Sequence, residues 1–419
     1  VGNSAGLSVT TGVNNTLIGG LAGDAITSAV RNVAVGKGAL SSDTLGNASV
    51  AIGENALSTQ NLTTATNVHN VAVGHNAGLS VTTGVRNTLL GALAGDALTD
   101  TNYNVAIGYK TGEAVTTGQK NTLIGGLAGD ALTDADFNVA VGYLSLGANQ
   151  LGSSSVAIGT SALQNQNPSG AASMLNVAVG HDAGIGVTTG ATSTFIGSRT
   201  GGGSAITGGN NTALGDAALN VLAGGAANNT GLGQTAGSAI TTGSNNLAVG
   251  VGALRTGRPG GNITTASNVI GIGNGDHTSA HVQVDWTIAS DARDKTDFTA
   301  LDLGLDFVKA LAPFTYKWDK RSKYGDNTAD DYDLAAQTPD GTHKEDWLDI
   351  GFKAQEVEAL EQAAGYNKNN STNLVSDCSD DGKQMGLQYS KFVPILVKAI
   401  QEQSALITAL TDRIAALEG

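Results

Sequence analysis

A short sequence unit recurs through most of the chain and constrains its fold more than any other feature. The unit reads Asn-Val-Ala-Val-Gly or Asn-Thr-Leu-Ile-Gly, and most closing glycines lie 17 residues apart, with insertions of one or four residues. The closing positions are Gly19, Gly36, Gly53, Gly74, Gly91, Gly108, Gly125, Gly142, Gly159, Gly180, Gly197, Gly215, Gly233 and Gly250. A repeat this short and regular indicates stacked coils rather than one globular core.

Seventeen residues are too few for a pair of helices but suit one coil of a β-solenoid. We expect one strand at each core and a second strand in segments such as residues 114–118 and 130–133. The closing glycine permits the tight turn that ends each coil. A degraded fifteenth copy occupies residues 268–271 and closes at Gly271. The sequence therefore predicts a mainly β rod over residues 1–280.

Asparagine heads most cores, and stacked asparagines can form a hydrogen-bonded ladder. Serine replaces it at Ser49, Ser155 and Ser193. At one strand spacing per coil, fifteen coils give a rod of about 70 Å. The inward side chains are small, so assembly of three copies would bury a further face.

The cores resemble the Ala-Ile-Gly repeats in the heads of trimeric autotransporter adhesins. That resemblance covers the core motif only, and it implies a trimeric, left-handed parallel β-roll. An intertwined triple β-helix remains open, because the period alone does not exclude it.

The residues that precede the core asparagines form an outer column along the middle of the rod. In the middle coils this outer column alternates cations with aromatic rings, which predicts a cation–π ladder; it reads His69, Arg86, Tyr103, Lys120 and Phe137. Tyr109 and Tyr143 follow closing glycines nearby. We expect a host surface glycan to contact Tyr103, Tyr109, Phe137 and Tyr143; the alternative is a solvated column with structural contacts only.

Composition limits the classes of partner. The net charge of −14 argues against nucleic acid and anionic membranes, and no apolar run is long enough for a membrane span. A single cysteine, Cys378, fits synthesis in a reducing cytoplasm. Val1 is neither an initiator methionine nor the start of a signal peptide, so we expect an attachment region to be missing before it.

Several isolated acidic and imidazole side chains of the rod are of types that can bind cations or act as catalytic acids. They are better interpreted as turn residues, because a regular rod offers no cleft for paired carboxyls; the residues are Asp24, Asp96, Asp130, His75 and His181. No metal or cofactor is predicted.

A charged domain follows the rod, and a motif marks the junction. Residues 281–288 alternate apolar and polar side chains, which predicts a half-buried neck strand that ends at Ala289. The next residues carry serine, aspartate, arginine and lysine in the pattern Ser-Asp-x-Arg-x-Lys, at Ser290, Asp291, Arg293 and Lys295.

This pattern resembles the cleavage motif of the S74-type intramolecular chaperones of phage tail fibres. The resemblance implies a cut between Ala289 and Ser290 and a catalytic dyad of Ser290 and Lys295. Residues 349–357, which include Gln355, resemble the family's Gly-Phe-x-Ala-Gln-Glu motif, and residues 389–396 resemble its segment entering the terminal helix. Asp291, Arg293 and Gln355 would support the dyad.

The chemistry of such a dyad sets a geometric condition. A serine hydroxyl needs a base, and a lysine amine is a base only when it is neutral; Arg293 could supply a cation that favours the neutral amine. Positions five residues apart share no face of a helix or a strand. Ser290 and Lys295 therefore meet only if residues 291–294 turn, or if they meet across subunits.

The C-terminal composition predicts a small α+β domain that ends in a coiled coil. Helical spacing covers residues 301–311, and a strand follows at residues 314–318. Apolar residues then recur at alternating spacings of three and four, which favours a three-stranded coiled coil over residues 393–417; the positions are Val393, Leu396, Ile400, Gln403, Ile407, Leu410, Ile414 and Leu417.

These features predict a phage tail fibre with a rod at 1–280, a neck at 281–289 and a self-cleaving chaperone domain at 290–419. It would be a homotrimer of the virion, assembled in the host cytoplasm. Its partners would be a host glycan or protein receptor and other tail proteins, without nucleic acid or membrane insertion. The alternatives are a tailspike depolymerase acting on host polysaccharide and a bacterial surface adhesin.

Overall fold

The computed structural model describes residues 1–255, 262–274, 277, 280–283, 286–326, 332–367, 372, 374–379 and 382–419. The chain divides into two compact units. The first comprises residues 1–255 and 263–274, and the second comprises residues 256–262 and 275–419. The first unit thus ends close to the predicted end of the rod at residue 280.

The first unit is a β-solenoid, as predicted. Fifteen three-residue strands form one parallel sheet in which neighbours are successive coils of the same chain. The solenoid is therefore built within one chain and is not intertwined. The strands are Thr16–Ile18, Val33–Val35, Val50–Ile52, Val71–Val73, Thr88–Leu90, Val105–Ile107, Thr122–Ile124, Val139–Val141, Val156–Ile158, Val177–Val179, Thr194–Ile196, Thr212–Leu214, Thr230–Leu232, Leu247–Val249 and Ile270–Ile272.

Each strand points one side chain inward and two outward. Ala106 and Leu123 are middle residues of paired strands, and both are buried. The third residue of every strand is Val, Ile or Leu and points away from the core. The solenoid core thus combines the middle residues of the strands with buried turn residues such as Ala128 and Leu132. A separate apolar file runs along the outside of the sheet.

The predicted asparagine ladder is present, but its hydrogen bonds mostly join each asparagine side chain to backbone groups of the next coil. Asn104 is buried, and its side-chain oxygen accepts the backbone N–H of Asn121 at 3.0 Å. Its side-chain nitrogen donates to the carbonyl of Gly118 at 2.9 Å. Each asparagine therefore satisfies one buried donor and one buried acceptor of the next coil.

The predicted second strand of each coil is wrong. Residues 114–118 and 130–133 form turns and bends, although they bond to the next coil through contacts such as Thr116 N–H to the carbonyl of Thr133. Left-handed backbone angles recur just before these segments, as at Lys110 and Leu127, and they turn the chain where a strand would have to begin. Short second strand pairs form at the two four-residue insertions, between Gly46–Asn47 and Thr66–Asn67 and between Gly152–Ser153 and Ala172–Ser173. Isolated parallel bridges also join Val187, Ile206 and Gly224 in later coils.

The last copy of the repeat has a different register from the one predicted. Ala248 pairs with Gly271 and Val249 with Ile272. Gly271 thus lies in the middle of the final strand, and Gly273 takes the closing position. The prediction of this strand was wrong by two residues. The last copy of the repeat follows an insertion, and its Asn-Val-Ile-Gly segment resembles the core motif without being aligned with it in the sheet.

The second unit is a small α+β structure, and its described residues include the helices α1 (Leu305–Ala310), α2 (Ala354–Ala363) and α3 (Phe392–Glu418). Two antiparallel pairs join Phe314–Tyr316 to Asp349–Gly351 and Ser376–Cys378 to Met385–Leu387. Short 3-10 turns lie at Ala292–Asp294, Arg321–Lys323, Leu334–Ala336 and Tyr389–Lys391. The core packs one apolar cluster from all three helices and the second pair: Leu303, Phe307, Val357, Val375, Phe392 and Ile395.

The start of α3 is anchored to α1, whereas most of its length is exposed. Glu402 accepts the backbone N–H of Leu305 at 2.7 Å and therefore caps the first turn of α1. Beyond this contact the predicted heptad positions Ile407, Leu410 and Ile414 are exposed. None of the described helices is both long and apolar enough to cross a membrane.

Candidate active site

The predicted dyad residues lie on either side of a tight turn. Residues Ala292–Asp294 form a single 3-10 turn, and Asp291 caps it by accepting the backbone N–H of Arg293 at 2.9 Å. The turn brings Lys295 back beside Ser290, so that Lys295 Nζ donates to Ser290 Oγ at 2.6 Å. The turn that the spacing of five residues required is therefore present within one chain.

Arg293 has a different partner from the one expected. Its guanidinium pairs with Asp291, with Nη2 to Oδ2 at 2.6 Å and Nε to Oδ1 at 3.1 Å. These hydrogen bonds lower the pKa of Asp291 and raise the pKa of Arg293. The expectation that Arg293 acts as a cation beside the lysine amine is not supported, because Asp291 neutralises its charge; the pair instead braces the turn.

The site is open to solvent in the single chain. Ser290, Lys295 and every residue of the turn are exposed. The predicted half-buried neck strand is also not formed by residues 281–283 and 286–289, and Val284 and Asp285 lie outside the described residues. Trp286 is 76% exposed and Ile288 is 72% exposed. A strand needs a hydrogen-bonding neighbour and an apolar surface, and these residues have neither here.

Gln355 lies in the first turn of α2, with an exposed side chain. Within the described part of the chain, no hydrogen bond joins it to Ser290 or Lys295. The site in one chain therefore consists of the dyad and its braced turn, without the residue from the second motif.

One buried carboxylate in the same unit was missed by sequence reasoning. Glu361 on α2 is fully buried and accepts the backbone N–H groups of Leu374, Val375 and Ser376 at 3.2, 2.6 and 3.1 Å, together with the Ser376 hydroxyl. These four donors, all from residues 374–376, fill the approximately four acceptor sites that a carboxylate offers. The signal was present, because Glu361 follows buried Val357 by four residues on one helix face.

Comparison with known proteins gives one match. Residues 290–366 match the model of the Peptidase_S74 family, described as the chaperone of endosialidase. The chain carries a Peptidase_S74 chaperone domain. Comparisons with curated proteins and with solved structures gave no match. The domain and the β-solenoid together support a tail fibre or tailspike.

The family match begins at Ser290, the residue at which the motif places the cut. It includes the dyad, the Asp291–Arg293 pair, Gln355 and the buried Glu361. The chaperone domain is thus matched from the first residue that cleavage would release, while the catalytic role of the dyad remains a prediction.

The outer column of the rod is also present. Arg86 lies over the ring of Tyr103 with its Cζ 5.3 Å from the centroid, and Lys120 Nζ lies 4.8 Å from the centroid of Phe137. The rings of Tyr103 and Phe137 are about half exposed, at 50% and 54%. Two cation–π pairs of the predicted ladder are therefore formed.

Tyr109 and Tyr143 are exposed in the neighbouring column, with Lys110 Nζ 5.9 Å from the Tyr109 centroid. All four aromatic residues predicted to contact a glycan are accessible in the single chain. No further observation tests that contact.

Proposed function

We propose that the chain is a phage tail-fibre rod whose chaperone domain cuts the chain between Ala289 and Ser290. The observation that carries the proposal is the 2.6 Å contact between Lys295 Nζ and Ser290 Oγ, at the first residue of the family match. A hydroxyl in direct contact with an amine is the arrangement that a Ser–Lys nucleophile requires.

The proposed chemistry uses only these two side chains and water. The neutral amine of Lys295 takes the Ser290 hydroxyl proton while Oγ attacks the carbonyl carbon of Ala289. The amide bond breaks as an ester forms between Ala289 and Ser290 Oγ, and the released Ser290 nitrogen takes up a proton. Water then hydrolyses the ester, which leaves a carboxylate on Ala289 and a new N-terminus at Ser290.

Because the dyad is exposed in a single chain, its burial on assembly could start the reaction. Water around an amine favours its charged form, so the exposed site of a single chain is a poor environment for the base. We infer that packing of further copies around residues 286–295 excludes water and completes the site. The exposed Trp286 and Ile288, directly before the bond, are suited to become buried on assembly.

Two apolar surfaces support a trimer. The heptad face of α3 is exposed along its C-terminal half, with Ile407 and Ile414 on it, and isoleucine at such positions favours three strands. Along the rod, the third residue of each of the fifteen strands is a branched apolar side chain that points outward. A continuous apolar file of this length is the kind of surface that a second copy covers.

The order of events follows from topology. Parallel coils of equal period pair equally well in several registers, and long-range pairing is slow. A C-terminal coiled coil fixes the register of three chains before the rods pack. Removal of the chaperone domain then leaves the rod without its folding nucleus and kinetically trapped.

The rod itself would contact the host surface, with the virion as its final location. The support is the group of exposed aromatic residues in the middle coils, namely Tyr103, Tyr109, Phe137 and Tyr143. Adsorption of the fibre to host cells, compared with that of a Tyr103→Ala and Tyr109→Ala variant, tests this part; unchanged adsorption would remove it.

Mass spectrometry of the purified chain tests the cleavage. The wild type should give two pieces that join at Ala289 and Ser290, whereas Ser290→Ala and Lys295→Ala should remain intact. Lys309→Ala is the matched control, because Lys309 is another exposed lysine of the same unit, paired with Asp306. Native mass should show three copies; a monomeric rod, or a cut in the Ser290→Ala chain, contradicts the proposal.

A further inference from the structure

Among the described residues of the rod, some cations pair with a carboxylate, whereas Arg31, Arg86 and Lys120 do not. Lys37 pairs with Glu54 at 3.3 Å, and Arg199 pairs with Asp216 at 3.3 Å. A third cation, Lys110, pairs with Glu113 at 2.9 Å.

Arg86 and Lys120 have no such ion pair within the described residues. Each lies against an aromatic ring of the next coil instead. Arg31 also lacks a carboxylate partner and donates to the Asn67 side chain instead. The ring contacts therefore distinguish Arg86 and Lys120, whose charges no carboxylate neutralises in a protein with a net charge of −14.

The geometry places these cations for a repeating ligand. Arg86 and Lys120 stand two coils apart in the outer column, about 9–10 Å at the strand spacing of a parallel sheet. Tyr103 separates them and Phe137 follows, so cation and ring alternate. Arg86 Nη1 also donates to the Tyr103 hydroxyl at 2.9 Å, which fixes the guanidinium over the ring.

Each group in this column has a separate capacity for recognition. A guanidinium binds a carboxylate or sulfate through two parallel hydrogen bonds, and an ammonium binds it as a point charge. A half-exposed aromatic ring offers a flat apolar surface to the C–H face of a sugar ring. Alternation of the two kinds of group matches a chain of sugar rings that carries acidic groups at intervals.

The other aromatic pair has the opposite electrostatic surroundings. Near Tyr109 the single cation Lys110 interacts with Asp96 and Glu113, and with Asp130 one coil further on. Three carboxylates around one lysine repel an anion. An acidic ligand is therefore expected on the Tyr103 side and not on the Tyr109 side.

We propose that Arg86, Tyr103, Lys120 and Phe137 form a binding site for an acidic saccharide. The two cations bind its carboxylate, sulfate or phosphate groups, and the two rings pack against its sugar rings. This inference rests on the proposed contact of the rod with the host surface and assigns it a chemical class. Nucleic acid fits less well, because a duplex carries a charge about every 1.7 Å, which two cations on an acidic protein do not balance.

Asparagine is the matched substitution for these positions. The column residues have left-handed backbone angles, 61° at Arg86 and 57° at Lys120, and asparagine already occupies the same position with the same angle at Asn14 and Asn228. An Arg86→Asn and Lys120→Asn variant removes the charges. A second variant, Tyr103→Asn and Phe137→Asn, removes the rings.

The control variant, Lys37→Asn and Arg199→Asn, removes equal charge from cations that already have carboxylate partners. Thermal unfolding of each variant confirms that the rod is intact.

The experiment measures binding of the purified full chain to an array of saccharides that carry uronate, sulfate or phosphate groups, with neutral saccharides and a DNA duplex alongside. The wild type should bind acidic saccharides, and added salt should weaken that binding. The Arg86→Asn and Lys120→Asn variant should lose about tenfold or more in affinity, as expected for lost charge-assisted hydrogen bonds. The ring variant should lose affinity too, and the control should stay within about twofold.

Three results would overturn the inference. Binding of neutral saccharides alone would leave a glycan contact but exclude the acidic class. DNA binding as tight as saccharide binding, and unaffected by loss of the rings, would indicate a general anion surface. Host adsorption that persists in the Arg86→Asn and Lys120→Asn variant would leave the receptor role intact and remove this site from it.

Discussion

Lys295 Nζ lies 2.6 Å from Ser290 Oγ because a capped 3-10 turn folds back the main chain of the four intervening residues. Asp291 stabilises that turn through two kinds of contact with Arg293. It accepts the backbone N–H of Arg293 and also pairs with the Arg293 guanidinium. The approach of the two dyad residues thus depends on a neighbour that takes no part in the proposed chemistry.

Replacement of Asp291 by alanine should therefore slow cleavage without abolishing it. The turn loses its cap, worth about 1 kcal/mol, and its ion pair, so the lysine spends less time beside the hydroxyl. We expect a rate about tenfold lower, since each 1.4 kcal/mol of lost positioning is a factor of ten. Accumulation of the Ser290 fragment, followed by mass spectrometry, measures it. Asp294→Ala is the control, and an equal slowing in that variant would show that the cap has no special role.

The buried asparagine column should be sensitive to truncation. Asn121 accepts the backbone N–H of Asn138 at 2.9 Å and donates to the carbonyl of Ala135 at 2.8 Å. Asn121→Ala leaves both groups buried and unpaired, which should cost about 2–4 kcal/mol. Amide exchange at Asn138 and the unfolding midpoint report the loss. Gln119→Ala, at an exposed position, should leave both unchanged, and equal effects of the two variants would disprove the role assigned to the ladder.

Closing glycines should tolerate no side chain, whereas a glycine one position beyond should. A Cβ at Gly91, where φ is 133°, would lie 2.3 Å from the carbonyl oxygen of Gly108 in the next coil. Gly91→Ala should therefore destabilise the rod by more than about 3 kcal/mol, from strain and overlap together. Gly126→Ala meets no atom nearer than 3.6 Å and should change the midpoint little. Thermal unfolding of the two variants makes the comparison.

In two of the three coils where serine replaces asparagine, at Ser49 and Ser155, a buried glutamine lies beside the serine. A mutant cycle can test whether the glutamine explains the replacement. At Ser155 the space is filled by buried Gln166, whose Oε1 accepts from Asn176 Nδ2 at 2.8 Å and lies 3.2 Å from Ser155 Oγ. Ser155→Asn should overfill this space and destabilise the rod, and Gln166→Ala added to it should recover part of the loss. We expect a coupling of about 1–3 kcal/mol between the two changes; additive effects would contradict direct contact.

The stability of the rod should rise as the pH falls from neutral. Burial and the charge of Glu113 raise the pKa of Asp96 and Asp130, and one oxygen of each carboxyl is buried without a hydrogen-bond partner. The folded rod therefore binds protons at a pH where the unfolded chain does not. Its stability increases through that interval on acidification and is lowest above the folded pKa.

The Asp96→Asn and Asp130→Asn variant should be more stable than the wild type at neutral pH, and its stability should depend less on pH. The difference between the two proteins should shrink as the pH falls through the raised pKa of the two carboxyls. Unfolding midpoints across that pH range give the slope. Asp100→Asn with Asp134→Asn removes two exposed carboxylates from the same coils and serves as the control. A wild-type slope that survives in the Asp96 and Asp130 variant would contradict this origin.

Much of the rod could be predicted because the same residues recur at the same positions in every coil. The closing glycines and core asparagines located each of the first fourteen strands. The absence of the second strand could not be predicted, because residues such as Leu127 and Lys110 give no sign in the sequence of their left-handed backbone angles. The fifteenth copy was misplaced for lack of a complete motif.

At the candidate site, residue identities came from motif resemblance and the contact came from the fold. The pattern named Ser290 and Lys295, but the spacing left open whether they meet in one chain. The assumed cation, Arg293, proved to be paired with Asp291. The prediction of a neck strand was wrong because alternating side chains form a strand only where a neighbouring strand is available for hydrogen bonding.

The sequence by itself determined the period, the inward file of small side chains and the position of the self-cleavage motif, because each depends on local residue order. Only the tertiary structure decided which backbone groups the asparagines satisfy, how Lys295 reaches Ser290 and which cations of the rod lack a carboxylate. Those features depend on atoms one coil or one turn apart in space, and their separation along the chain does not encode the direction in which a side chain points.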